Sequence, residues 1–350
     1  MKQICWIVFT SLSFILTGCE TENKKNYAGD FINPEVKTPE NGNDFILTEA
    51  TANDSLTVAW TTAEFGFPAA TLYTVQIAKA GTYFESAVKI AETQEKQVKV
   101  DYATLNNSIL IAGLVPETPG EIELRVNAMV NENLQTLRSK AVQVTMTAYN
   151  VEVTYPILFA PGSYQEWNPG DSATILTSPK ADDVYEGYLY FTPNTNFKIT
   201  GQPDWNPLQW GSGGAGKLQK NGGDISVNNS TAGLYKVIAD INKLTYSVTP
   251  VSWSISGSAT SNTAIPLTYN ESDRTLKTNA HLTSGEFVFK ETGAGNRILG
   301  TYFGNQLMDN GNQIVVPQEG EYTITLNLKK YPYTYTPVSY THLRAHETRS

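Results

Sequence analysis

The stretch Gly233-Leu234-Tyr235-Lys236-Val237-Ile238-Ala239-Asp240-Ile241 returns 87 residues later as Gly320-Glu321-Tyr322-Thr323-Ile324-Thr325-Leu326-Asn327-Leu328. Gly233, Tyr235 and Ile241 fall on Gly320, Tyr322 and Leu328. Both copies alternate along the chain, and a period of two sends successive side chains to opposite faces of a strand. Upstream, Asn196-Phe197-Lys198-Ile199 matches Glu286-Phe287-Val288-Phe289 at an offset of 90, so the intervening loops differ by three residues. A repeat near 90 residues, made of alternating strands and Gly/Asn/Pro turns, predicts two β-sandwich domains in tandem, at 151–250 and 251–337. Helical periodicity is nowhere sustained.

Working outward, residues 44–149 carry the same period. Ser55-Leu56-Thr57-Val58-Ala59-Trp60, Tyr73-Thr74-Val75-Gln76-Ile77, Glu121-Ile122-Glu123-Leu124-Arg125-Val126 and Val142-Gln143-Val144-Thr145-Met146 alternate between turn-rich segments. They predict a sandwich of immunoglobulin or fibronectin III kind, with Trp60 in its core and no chemistry of its own. The fold class is therefore all-β, with three tandem sandwiches.

The two ends read differently. Lys2, an apolar run from Ile4 to Leu16, and Leu16-Thr17-Gly18-Cys19 describe a secretory signal over 1–18. Cys19 directly after small residues looks like a bacterial lipobox, in which the new N-terminal cysteine carries the lipid. Polar residues 19–43 then read as a lipidated tether, acidic at Glu20 and Glu22. At the other end, residues 338–350 break sharply from the strand pattern and read as a translated sequencing adapter, so His342 and His346 are not site candidates.

Composition excludes several functions. The formal net charge is −9, and setting aside Lys2 and the tail's Arg344, Glu347 and Arg349 takes it to −11. Nucleic acid needs a basic surface and is excluded. With the signal removed Cys19 is the one cysteine left, so no disulfide braces the chain. His281 is then the sole histidine. No nucleophile elbow, Cys/His metal cluster or phosphate loop is present, so neither metal nor cofactor is expected. A glycosidase needs only two carboxylates, and Glu166, Asp182, Asp183, Glu186 and Asp204 lie in one region. Asp182-Asp183, however, sits in a stretch that reads as a turn.

The indoles point elsewhere. Trp167 stands in Ser163-Tyr164-Gln165-Glu166-Trp167-Asn168-Pro169, and Trp205 and Trp210 bracket Asn206-Pro207-Leu208-Gln209. Tryptophans among Pro, Asn, Gly and Gln are expected at the surface, where exposed aromatic area marks a binding site. A pyranose lays its C–H face on such rings, while amides and ammonium groups meet its hydroxyls. Lys198, out of phase with Phe197 and Ile199, together with Lys217 and Asn221, are the candidate polar partners; Gln202 and Gln209 are also available.

Taken with Ala160-Pro161-Gly162-Ser163-Tyr164, Val184-Tyr185-Glu186-Gly187-Tyr188-Leu189-Tyr190-Phe191 and Phe197-Lys198-Ile199-Thr200-Gly201-Gln202-Pro203-Asp204-Trp205, the layout resembles the SusE/SusF-type glycan-binding lipoproteins of Bacteroidetes starch-utilisation systems. The resemblance implies a non-catalytic, lipid-anchored outer-membrane protein facing the cell exterior. It implies binding of starch-like α-glucan or another polysaccharide beside a TonB-dependent transporter and a companion glycan-binding lipoprotein. It also implies starch-binding-type modules for the two repeats. The alternatives from the residues themselves are a structural accessory lipoprotein and a surface glycoside hydrolase.

The second repeat departs from the first. Asn262 stands where Trp167 stands, Gly295 where Trp205 stands, and Val288 where Lys198 stands. Trp253, on the opening strand, is expected to pack. The second module is therefore expected to bind weakly or not at all, unless Lys290, Arg297, Tyr302 and Phe303 serve instead.

Overall fold

The computed structural model describes residues 30–131, 133–205, 208–302 and 304–340. The signal segment, Cys19, Glu20, Glu22 and residues 341–350 lie outside them. What is described is built mostly of strands, as the period-two pattern requires, and its apolar residues gather into three clusters.

In the N-terminal region, Leu56, Val58 and Trp60 of the Ser55–Trp60 strand are all buried while their neighbours are not. This strand lies between Val36–Thr38 and Gln97–Asp101. The facing sheet runs in the order Asp44–Ile46, Val142–Thr147, Gly120–Met129, Leu72–Lys79, Val88–Thr93. Two expectations need correction here. The expected tether is already folded over its later part: Val36 pairs with Trp60, Ile32 bridges Glu64 and Phe31 packs edge-on against Phe65. Scattered apolar residues in a polar stretch are enough to add a strand to an open edge.

The second correction is an α-helix, Tyr102–Ile111. Asp101 caps it, accepting from the Thr104 N–H at 2.8 Å, as an N-terminal aspartate does. Its buried face holds Leu105 and Ile109 but also Asn106 and Ser108, which blurs the apolar period. Asn106 is tolerated there because its amide satisfies both the N–H and the C=O of Tyr149.

The middle region contributes an eight-stranded sheet in which Val184–Phe191 pairs along its length with Gly233–Asp240. The C-terminal region repeats the pairing between Thr275–Leu282 and Gly320–Asn327. Phe191 faces Gly233 in one and Leu282 faces Gly320 in the other, so the sequence repeat is also a repeat of register. Ile199 faces Trp210 and Phe289 faces Leu299 in the same manner. The final strand, Thr334–Tyr340, continues past the expected boundary at 337; Val338 pairs with Thr323 and Tyr340 with Glu321.

The three regions interlock. Ala181 packs on the N-terminal cluster, and Asp183 forms an ion pair with Lys89. Tyr188 leaves the middle region to join the C-terminal core, edge-on to Trp253 and Tyr333 at 5.6 and 5.5 Å. Tyr190 stacks flat on Tyr269 at 4.0 Å. Around Tyr188, Arg297 holds Asp309 through two hydrogen bonds and reaches Glu186 at 2.5 Å, and Lys236 lies between Glu186 and Glu291.

Candidate functional site

Trp167 is set by a tight loop. A single turn of 3-10 helix, Ser163–Gln165, follows Gly162, where a Cβ would come within 2.6 Å of the Asn196 carbonyl oxygen. Only glycine permits that approach. The Gln165 side chain then locks the loop, accepting from the Asn168 N–H at 2.6 Å and donating to the Thr174 hydroxyl oxygen at 3.3 Å. The Trp167 N–H closes back on the Gly162 carbonyl at 2.9 Å. The closure leaves Glu166 and Trp167 in the left-handed region, at φ 59° and 57°. A bulky residue is costly there, and such strain marks functional positions.

Trp205 comes from a different loop, the connection between Ile199–Thr200 and Gln209–Ser212. Its base is held by the Gly201 N–H on the Leu208 carbonyl and by the Thr200 hydroxyl on the Gln202 carbonyl, both at 2.8 Å. The two indoles meet with ring centroids 6.1 Å apart and planes tilted by 45°. Trp167 is half-buried and Trp205 is 40% exposed. Leu208, equally exposed, closes the loop behind Trp205; sequence reasoning passed over it because an apolar residue after proline in a turn carries no signal.

The structure removes Trp210 from the platform. Only 6% exposed, it points into the core from the strand position opposite Ile199. Its counterpart Leu299 is fully buried, which identifies the position as a core one in both repeats. The polar flanks that suggested exposure are the turns on either side of a four-residue strand.

The polar candidates divide. Asn221, exposed and left-handed at φ 56°, donates its N–H to the Gln209 carbonyl, at the end of the hairpin that carries the Trp205 loop. Lys217 is exposed at the other end of that hairpin, bridged to Thr245. Lys217 thus stands at the opposite end of this hairpin from the Trp205 loop. Lys198 does leave the core, as its phase required, and its ammonium donates to the Gly222 carbonyl at 2.9 Å with Asp224 at 3.9 Å. There it secures the segment that crosses over Gly211, where a Cβ would fall 2.0 Å from the Gly223 oxygen.

The carboxylates are largely engaged in structure. Asp182 accepts from Ser178 and from the Val184 N–H, Asp183 pairs with Lys89, and Glu186 lies in the Arg297 cluster. Burial alone would lower the Arg297 pKa, but its hydrogen bonds with Asp309 and the charge of Glu186 outweigh that and hold it above the ordinary arginine value. Arg297 is thus a structural cation. Glu166 is exposed beside Trp167. Among the described residues, no group of three His, Cys, Asp or Glu side chains is arranged to hold a metal.

The second repeat reproduces the loop without the rings. Ser258–Thr260 forms the same 3-10 turn after Gly257, and the Asn262 N–H closes on the Gly257 carbonyl at 2.8 Å. Ser261 and Asn262 take φ 52° and 58°. Asparagine accepts this conformation far more readily than tryptophan does. Lys290 reaches Ser256, Tyr302 is 60% exposed, and Phe303 lies outside the described residues. Trp253 is buried, as expected.

Residues 20–127 match the model of the SusE outer membrane protein family. No curated protein matches the chain.

Proposed function

From a chain whose residues 20–127 match the SusE family model, we propose that this protein binds polysaccharide without cleaving it and holds it at the outer membrane. One observation carries the reading: Trp167 and Trp205, from separate loops, form an indole pair that is partly open to solvent, one member of it held in a strained backbone. A fold has no structural reason to keep tryptophan where its own repeat keeps asparagine. Asn221 and Gln202 stand by the Trp205 loop to meet sugar hydroxyls, and Lys198 retains spare donors on its ammonium. Starch-like α-glucan is the first substrate to try, with other glycans beside it. Anchoring through Cys19, orientation towards the exterior and service to a TonB-dependent transporter with a companion lipoprotein belong to the same reading. So do an immunoglobulin-like spacer over 44–149 and starch-binding-type modules over 151–250 and 251–337.

Catalysis has less support. Asp182, Asp183 and Glu186 are consumed by caps and ion pairs, which leaves Glu166 without a structurally free partner among them.

An open aromatic platform predicts a Kd on the order of 10 μM to 1 mM, or roughly −7 to −4 kcal/mol. Calorimetry with soluble starch and a panel of other polysaccharides tests it, with reducing-sugar release followed in parallel. No binding to any polysaccharide would refute the reading, and sugar release would replace it with the hydrolase. Cys19→Ala should release the protein from the membrane fraction; retention through carbonate washing would refute the anchor.

A further inference from the structure

A second concavity lies between the middle and C-terminal regions. It is a groove of about 410 Å³, within the size range of small-ligand sites. Three stretches far apart in sequence wall it: the connector at Glu152–Val153, the Ser172–Ala173 loop of the middle region, and Asn327–Thr334 with Gln306 of the C-terminal region.

Each wall is fixed from behind. The Asn107 side chain grips both the N–H and the C=O of Thr154, at 2.9 and 2.7 Å, and so positions the connector. Asp171 is paired with Arg274 at 2.5 Å beside the second wall. Buried Tyr333 secures the third, its carbonyl accepting from the Leu307 N–H at 2.8 Å. A ligand entering a groove so held meets little ordering cost.

The lining chemistry is that of a polyol site. Tyr331 offers a half-buried ring, braced edge-on by Tyr155 at 4.9 Å. Tyr302 is exposed, and its backbone N–H donates to the Gln306 carbonyl at 3.0 Å. Burial pushes both Tyr155 and Tyr331 above the ordinary phenol pKa, so they stay neutral donors. The Gln306 amide, the Ser172 hydroxyl and the Lys330 ammonium supply the remaining hydrogen-bonding groups. The lining carries one carboxylate, Glu152, and two ammonium groups, Lys329 and Lys330; the Lys329 ammonium donates to the Asp273 carbonyl at 3.0 Å and keeps its charge and its other donors. A metal finds a single carboxylate here, whereas hydroxyl groups find ammonium, amide and hydroxyl partners beside a tyrosine ring. An uncharged, polyhydroxylated ligand matches this lining.

We propose that this groove is a second glycan-binding subsite, formed by Tyr331, Gln306, Lys330 and Ser172 and independent of the indole pair. The proposal rests on the glycan-binding reading above. It gives the C-terminal region a part in binding even though Asn262 and Gly295 have replaced its indoles. The Ser172 wall and Trp167 share one loop, with backbones at most about 18 Å apart. A long chain can therefore engage both subsites.

The test is calorimetric titration of the full chain with maltoheptaose and with xyloglucan, galactomannan and mixed-linkage β-glucan oligosaccharides. Four proteins are compared: wild type, Trp167→Ala/Trp205→Ala, Gln306→Ala/Lys330→Ala, and the quadruple variant. Lys330 is exposed and half-buried Gln306 makes its fold contacts through its backbone, which alanine retains, and a thermal melt confirms that the second pair stays folded. The expected result is residual binding in each double variant, weakened about 10-fold or more, and none in the quadruple. If the tryptophan pair alone removes all binding, while the Gln306/Lys330 variant titrates like wild type, the groove is not a glycan subsite and the indole platform stands. If wild type binds none of the oligosaccharides, the glycan reading fails and takes this proposal with it. Loss confined to the Gln306/Lys330 variant would uphold the groove and displace the platform.

Discussion

The same strand does opposite jobs in the two repeats. On Val184–Phe191 the outward positions are Glu186, Tyr188 and Tyr190; at matching register on Thr275–Leu282 they are Lys277, Asn279 and His281. The first set is covered by the C-terminal region: Tyr188 enters its core, Tyr190 stacks on Tyr269, and Glu186 meets Arg297. The second set meets only its own surface, with Lys277 paired to Asp273, Asn279 to Thr323, and His281 to Glu319 and Glu321. The loops invert this pattern. The middle repeat displays two indoles where the C-terminal one has Asn262 and Gly295. A shared backbone thus leaves two faces free to vary, and the middle repeat uses one for docking and the other for a platform.

The largest effect should come from breaking the docked face. Arg297→Ala would leave half-buried Glu186 and buried Glu291 with Lys236 as their cation, and Glu291 already has one buried carboxylate oxygen without a partner. Removing one member of a buried pair costs about 3–5 kcal/mol. Urea unfolding followed by tryptophan fluorescence should shift accordingly. Lys277→Ala, at the position matching Glu186, should cost less than about 1 kcal/mol, as exposed pairs do. Equal losses would mean that the docked and free faces do not differ in energy.

Next in size is the platform. Trp205→Ala should weaken polysaccharide binding by about 2 kcal/mol or more, as the loss of a central aromatic anchor does. Asn262→Ala, at the position matching Trp167, should leave calorimetric affinity unchanged. A Trp205→Ala variant that binds like wild type would place the site elsewhere.

A smaller effect tests the strained turn. Asn262→Trp puts a bulky residue at φ 58° with no second indole to rest on, and should lower stability by about 1 kcal/mol without improving binding. Unchanged thermal stability would show that the loop imposes no strain at this position, and would weaken the functional reading of Trp167.

Smallest is the titration of His281. Hydrogen bonds with Glu319 and then Glu321 raise its pKa above the ordinary 6.5. A raised folded-state pKa contributes stability that is fully present below pH 6.5 and lost as pH rises through the folded value. NMR titration should therefore find His281 protonated past its ordinary range, and Glu319→Gln with Glu321→Gln should bring it back. No change on replacing both glutamates would assign the shift to something else.

Much of this architecture was legible in the chain. Leu56, Val58 and Trp60 alternate, and they are buried in alternation. The Gly-x-Tyr repeat fell into a common register, and even the pairing of Trp167 with Asn262 holds to the hydrogen bond on the preceding glycine. The helix at Tyr102–Ile111 was hidden because its buried face includes Asn106 and Ser108, whose polarity is answered by the Tyr149 backbone and the Thr104 carbonyl. Trp210 was misplaced because the turn residues beside it conceal a strand of four residues.

What the sequence determined by itself is whatever depends on local period: strands, their inward faces and the repeat. Partners contributed by distant segments were decided only by tertiary structure. Nothing local to Glu186 announces Arg297, 111 residues away, and nothing in Trp167 announces that Trp205 will be the ring beside it. Neither does Tyr331 announce Tyr155. A strand's inward face follows from its own alternation, because burial on one side is all that the alternation must satisfy. An outward face is left undetermined by that rule. Its role depends on which surface the rest of the chain brings against it.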